Sequence, residues 1–112
     1  MAIRVGCDIV SISAFQKRLL ECGELLPERL FHPGERSGAD PERLAGLFAA
    51  KEAALKALSL PAGSWLQLCI EHDLSGAPQL RLLEPDARVK DLSVSISHNG
   101  DNAIAVVMAS LE

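Results

Sequence analysis

Between Ile3 and Ile9 apolar and polar or small positions alternate, with Ile3, Val5, Cys7 and Ile9 on one side and Arg4, Gly6 and Asp8 on the other. That period of two predicts a strand buried on one side, and it puts Asp8 on the side facing away from the core. Ser13 is placed to cap a helix through Phe15, Leu19 and Leu20 that stops at Gly23, and a second short helical piece covers Glu24 to Leu30. Phe31-His32-Pro33-Gly34 reads as a turn. Asp40-Pro41 is the clearest helix start in the chain, because Asp accepts from free backbone amides and Pro fits the first helical position. Leu44, Leu47, Phe48, Leu55 and Leu58 then recur at helical spacing among many alanines, which predicts a long helix to about Leu58 that Pro61 and Gly63 end.

The second half changes period. Leu66 to Glu71 and Gln79 to Leu83 read as strands joined by a turn at Asp73-Leu74-Ser75-Gly76-Ala77. Leu92 to Ser97 and Ala103 to Ala109 read as an antiparallel hairpin around His98-Asn99-Gly100-Asp101, since Asn-Gly is the strongest short hairpin signal. Strands around one long central helix predict an α+β fold. At 112 residues the chain fits a single domain over 1–112, and a monomer of that size has little room for a deep cleft.

Composition narrows the function classes. Apolar residues are 48% and charged residues 23%, the balance of a globular chain. The net charge is −4 and the 11 Lys and Arg are scattered, so the basic stripe that neutralises nucleic-acid phosphates is missing. No run reaches the roughly 18 to 20 apolar residues of a membrane helix, and no signal-peptide pattern opens the sequence; a cytoplasmic protein is expected. Cys7, Cys22 and Cys69 have no CxxC spacing and read as reduced, partly buried thiols.

Lys51-Glu52 interrupts an alanine-rich stretch, and Lys56 lies one turn beyond Glu52 on the same helix face. Alone, this is a helix-stabilising Glu-Lys pair, and Asp8 alone is an acid on the exposed face of a strand. Together, a strand carboxylate and a helix carboxylate suit a hard ion such as Mg²⁺, which takes one or two carboxylates plus substrate phosphates. Ser95-Ile96-Ser97-His98-Asn99-Gly100 puts two hydroxyls on one side of a strand and an imidazole at its end, a place for phosphate or another polar group, or simply a solvated hairpin face. His32 and His72 have no identifiable partner and read as surface or turn residues. P-loop, GxGxxG and Ser-His-Asp patterns are absent.

Three segments together resemble the holo-acyl-carrier-protein synthases, the small 4′-phosphopantetheinyl transferases. They are Val5-Gly6-Cys7-Asp8-Ile9-Val10, the run from Ala45-Gly46-Leu47-Phe48 through Ala49-Ala50-Lys51-Glu52-Ala53-Ala54-Leu55-Lys56-Ala57-Leu58, and Val94-Ser95-Ile96-Ser97-His98. Gly76-Ala77-Pro78 falls where the family often has a Gly-x-Pro turn. The resemblance implies an antiparallel sheet packed on the central helix, a homotrimer with sites between subunits, and transfer of phosphopantetheine from coenzyme A to a serine of an apo acyl carrier protein. It implies Asp8 and Glu52 as Mg²⁺ ligands and Lys56 beside the leaving phosphate. Ser97 and His98 of a neighbouring subunit would line the coenzyme A site. No side chain stands out as the base for the carrier serine.

The chain departs from the pattern at two places. Leu47 stands where the family usually has Arg, and Arg43, one turn earlier on the same face, is the expected substitute for binding the coenzyme A phosphates. Ser13-Ala14 stands where a basic residue usually opens the first helix in the region associated with carrier docking, which leaves open whether the carrier serves fatty acid biosynthesis or a specialised pathway. Both departures also allow a second reading, a coenzyme A- or carrier-binding module of the same fold that has lost turnover.

Overall fold

A computed structural model describes residues 1–23 and 25–112; Glu24, the expected start of the second helical piece, lies outside the described residues. In chain order the elements are β1 (Ala2–Ser11), α1 (Ile12–Cys22), α2 (Leu25–Leu30), α3 (Pro33–Arg36), α4 (Pro41–Leu58), a single 3₁₀ turn (Trp65–Gln67), β2 (Leu68–His72), β3 (Pro78–Leu82), β4 (Val89–Asn99) and β5 (Asn102–Leu111). β1, β5 and β4 form an antiparallel sheet in that spatial order, and β2 and β3 form a separate two-stranded ribbon.

Helix α4 is the axis of the molecule. Asp40 Oδ1 accepts from the Arg43 amide at 2.8 Å and Pro41 occupies the first turn, so the helix begins where the sequence predicts. It ends at Leu58 because Ser59 turns left-handed, φ 54°, and its N–H returns to the carbonyls of Leu55 and Lys56; Pro61 and Gly63 come after the stop. Ala49, Ala50, Ala53, Ala54 and Ala57 are buried, as are Ala103, Ala105, Val107 and Ala109 of β5. Small residues on both surfaces let helix and sheet approach closely. Phe15, Phe31, Phe48 and Trp65 gather on another flank of α4, with Phe15 and Phe48 stacked at 5.1 Å and Phe48 and Trp65 at 6.1 Å between ring centroids.

The period of β1 is as predicted, but its faces are inverted. Gly6 is the buried residue of the strand, while Ile3, Val5 and Ile9 are 59%, 63% and 63% exposed. A Cβ at position 6 would overlap the carbonyl oxygen of Ala53, so only glycine lets this strand lie on α4. The expected core side Ile3, Val5, Cys7 and Ile9 therefore faces outward, and the side bearing Asp8 faces the helix. On the neighbouring strands the outward side continues with Met108, Val106 and Ile104 of β5, paired with Val5, Cys7 and Ile9, and with Ser93, Ser95 and Ser97 of β4.

Other boundaries move for local reasons. Ser11, not Ser13, caps α1, its hydroxyl accepting from the Ala14 amide at 3.2 Å. Ser13 instead binds Asp101 at the hairpin tip, where Oδ1 accepts from the Ser13 amide at 2.8 Å and Oδ2 from the Ser13 and Ser11 hydroxyls at 2.7 and 2.8 Å. The hairpin turns one residue later than expected, at Gly100-Asp101, with Gly100 at φ 60°. The expected turn at Phe31-His32-Pro33-Gly34 is instead a two-residue link, Phe31 and His32, followed by the helical turn Pro33–Arg36, because Glu35 reaches back to the His32 amide at 2.8 Å. Cys7 and Cys22 are exposed rather than partly buried, and Cys69 is half-buried.

Candidate active site

The inverted face of β1 brings the two predicted acids together. Asp8, half-buried on the helix side of the edge strand, and Glu52, half-buried on α4, are close enough for the Asp8 charge to act on Glu52. Burial, and next Asp8, push the Glu52 carboxyl above its usual range; the Trp65 indole and the Lys56 ammonium pull it part of the way back. The indole Nε1 of Trp65 is buried without a partner in good hydrogen-bond geometry, so its hold on Glu52 is electrostatic proximity rather than a formed bond. Lys56 Nζ donates to Asp8 Oδ1 at 3.2 Å and to the Cys7 carbonyl at 2.9 Å, with 58% of its side chain exposed.

Two carboxylates close enough for one to act on the charge of the other, beside a main-chain carbonyl, are an oxygen donor set with excess negative charge. This fits Mg²⁺, which needs only one or two protein carboxylates when a substrate phosphate completes its shell. Among the described residues no cluster of three or more His, Cys, Asp and Glu exists, so a zinc-type ligand set is not available.

A second group forms at the other edge of the sheet. His98, at the end of β4, faces the N-terminus of α4, where its Nδ1 lies 3.0 Å from Glu42 Oε1. Arg43 lies in the same concavity and its Nη2 is 3.2 Å from His72 Nδ1. His72 therefore has a partner that sequence reasoning missed. Leu47 is 3% exposed and lines the same cavity as Arg43, Gly46, Gly76, Pro78 and His98. Ser97 points to the opposite, outward side of β4, exposed and paired with Ile104, so it does not join His98 within one chain. Nine residues of helix separate Arg43 from Glu52, ~13 Å along α4. One chain thus assembles Asp8, Glu52 and Lys56 at the β1 edge and Arg43, His72 and His98 at the β4 edge, with β5 between them.

Lys51, next to Glu52, is fully buried and turned the other way. Its Nζ donates to Glu35 Oε1 at 2.7 Å and to the Leu30 carbonyl at 2.8 Å, and Glu35 Oε2 accepts from the Ile70 amide at 2.9 Å. Burial lowers the Lys51 pKa, and Glu35 opposes that shift. Glu35 carried no signal in the sequence beyond its place three residues after His32.

A sequence model of the 4′-phosphopantetheinyl transferase superfamily matches residues 4–107. The chain is 43% identical to a holo-[acyl-carrier-protein] synthase of Kocuria rhizophila, over 100% of this chain and 95% of the relative. It is 38% identical to one of Campylobacter jejuni, over 94% and 97%. The chain belongs to the holo-[acyl-carrier-protein] synthase family of 4′-phosphopantetheinyl transferases. The fold agrees: the crystal structure of the Helicobacter pylori synthase in complex with coenzyme A superposes with a TM-score of 0.88 at 35% identity, covering 95% of this chain and 99% of that one. A second synthase–coenzyme A complex, described as from Chronobacterium ammoniagenes, gives 0.86 at 31% identity over 100% and 99%. The expected α+β architecture and the expected enzyme class both hold. Among the described residues no helix is long and apolar enough to cross a membrane.

Proposed function

We propose that the chain transfers 4′-phosphopantetheine from coenzyme A to a serine of an apo acyl carrier protein in the cytoplasm, releasing adenosine 3′,5′-bisphosphate. The observation that carries this reading is the cluster of Asp8, Glu52 and Lys56 in a chain whose relatives are named for this reaction. The serine hydroxyl gives up its proton to solvent as its oxygen forms a bond to the β-phosphorus of coenzyme A, the bond from that phosphorus to the bridging oxygen breaks, and the electron pair leaves on the 5′-phosphate. Asp8 and Glu52 would hold Mg²⁺. Bound there, Mg²⁺ would neutralise the pyrophosphate and offset charge that develops during transfer. Lys56, already aligned on Asp8 and open to solvent, meets the departing phosphate. Arg43 and His98 grip the phosphates of coenzyme A from the cavity at the β4 edge.

The site is completed between subunits of a homotrimer. Two features support this: the catalytic groups sit at opposite sheet edges, and the outward sheet face carries Ile3, Val5, Ile9, Ile104, Val106 and Met108 in the open, a contiguous apolar surface of the kind that subunit contacts cover. Ser97, on that same face, reaches the site only from a neighbouring chain.

The direct test mixes the protein with coenzyme A, Mg²⁺ and a panel of apo carrier proteins from fatty-acid and specialised pathways, and follows the carrier by mass spectrometry. A phosphopantetheine mass gain that chelation abolishes is the expected result. Coenzyme A binding without transfer to any carrier would instead favour the non-catalytic module, for which the apolar Leu47 is the structural argument.

A further inference from the structure

Three observations at the β4 edge converge on His72. First, Arg43 meets no carboxylate at ion-pair distance among the described residues, although two acids, Asp40 and Glu42, closely precede it in sequence. Both are already engaged: Asp40 caps the helix through the Arg43 amide, and Glu42 faces His98. Second, the side-chain partner that Arg43 does have is an acceptor nitrogen, His72 Nδ1 at 3.2 Å. A guanidinium has only donors, so this contact requires the lone pair on Nδ1 and leaves the proton on Nε2. Third, Arg43, Leu47 and His72 line both of two adjoining cavities, about 370 and 360 Å³, one reaching His98 and the other reaching His32 and Cys69.

We propose that His72 is a positioning residue for coenzyme A binding, its Nδ1 holding the Arg43 guanidinium toward the cavity that takes the substrate phosphates. This rests on the transferase reading. An uncharged acceptor orients Arg43 without neutralising it, whereas a carboxylate in the same place would spend its charge. The long Arg43 side chain loses rotamer freedom on binding an anion, and a partner that holds it beforehand removes part of that cost. With Leu47 filling the middle of the cavity wall by an apolar side chain, the phosphate-facing cation on this part of α4 is Arg43, and its aim falls to His72.

The test varies coenzyme A at saturating carrier protein, then the reverse, in the full-length chain. His72→Ala should raise KM for coenzyme A about three- to tenfold, the size of one ordinary solvent-exposed hydrogen bond, with kcat and melting temperature little changed. His72→Asn, whose Oδ1 can stand in for Nδ1, should recover most of the loss. In an Arg43→Ala background His72→Ala should add nothing, because the two act as one unit. An unchanged KM for coenzyme A, a rise confined to the KM for carrier protein, or full additivity with Arg43→Ala would each overturn the proposal. Should the wild-type chain bind coenzyme A yet transfer nothing, the transferase reading fails separately, and calorimetric Kd values for coenzyme A with the same variants decide the role of His72.

Discussion

At the scale of single residues, position 6 and position 52 are linked. Gly6 allows β1 to touch the carbonyl of Ala53, and that contact sets Asp8, two residues on, against Glu52, one residue before. Gly6→Ala should force the strand off the helix and destabilise the chain by about 3 kcal/mol, measured by denaturant unfolding. Its transfer activity should fall further than its stability accounts for, since the two acids move apart. Glu52→Gln is the opposite experiment. The carboxylate sits where burial and Asp8 disfavour its charge, so the amide should leave the metal-free protein at least as stable, by melting temperature, while lowering transfer a hundredfold or so through loss of a metal contact. A fall in both would mean that Glu52 is a structural residue first.

At the scale of elements, two polar ties hold the pieces around α4. The Lys51–Glu35 pair joins α4 to α3 and, through Leu30 and Ile70, to α2 and β2, with side-chain exposures of 0% and 2%. Removing one partner strands a buried charge, so Glu35→Ala should cost about 3–5 kcal/mol in denaturant unfolding, and pairing it with Lys51→Met should return part of that loss. The second tie is Asp101, which joins the β4–β5 hairpin to the start of α1. The Ser13 hydroxyl, then Ser11 and the Ser13 amide, hold its carboxyl below the usual carboxylate range. A folded-state pKa below the unfolded one means that the unfolded chain binds the extra proton first. Its contribution is therefore complete above the ordinary carboxylate pKa of about 4 and is lost as pH falls through the lowered value. Asp101→Asn should flatten the acid limb of a melting temperature against pH profile and leave the neutral region nearly parallel to wild type.

Much of this element level was legible beforehand. Asp40-Pro41 and the apolar recurrence through Leu58 announced α4, because a cap and a period report local physics. The strands of the second half were likewise marked by alternation and by Asn-Gly. The misread face of β1 has a different cause: periodicity tells which residues share a side, not which side meets this chain's own core, and here the larger side chains point outward while a glycine faces the helix. Asp8 and Glu52 were found through motif resemblance rather than spacing, since a strand and a helix some forty positions apart carry no sign of meeting. Glu35, His72 and Asp101 escaped because their partners, Lys51, Arg43 and Ser13, are distant in sequence and each residue alone resembles ordinary surface polarity.

At the scale of the whole molecule, the open apolar sheet face and the division of polar groups between two edges are what the proposed homotrimer with shared sites rests on, and both can be tested. Val5→Glu combined with Val106→Lys should yield a folded monomer by light scattering that has lost transfer activity. A variant that retained full activity as a monomer would place the complete site within one chain. Complementation follows from the same geometry. Two inactive proteins, Asp8→Ala and a chain lacking Arg43 and His98 side chains beyond Cβ, should regain activity when their subunits are mixed and exchanged, approaching about a quarter of wild type for random assembly of equal amounts. The division between edges also has a genetic face. A chain damaged at both edges would spoil two of the three junctions in any trimer it entered, so its co-expression with the intact protein should behave as a dominant inhibitor, while a chain damaged at one edge would spoil a single junction and be largely masked.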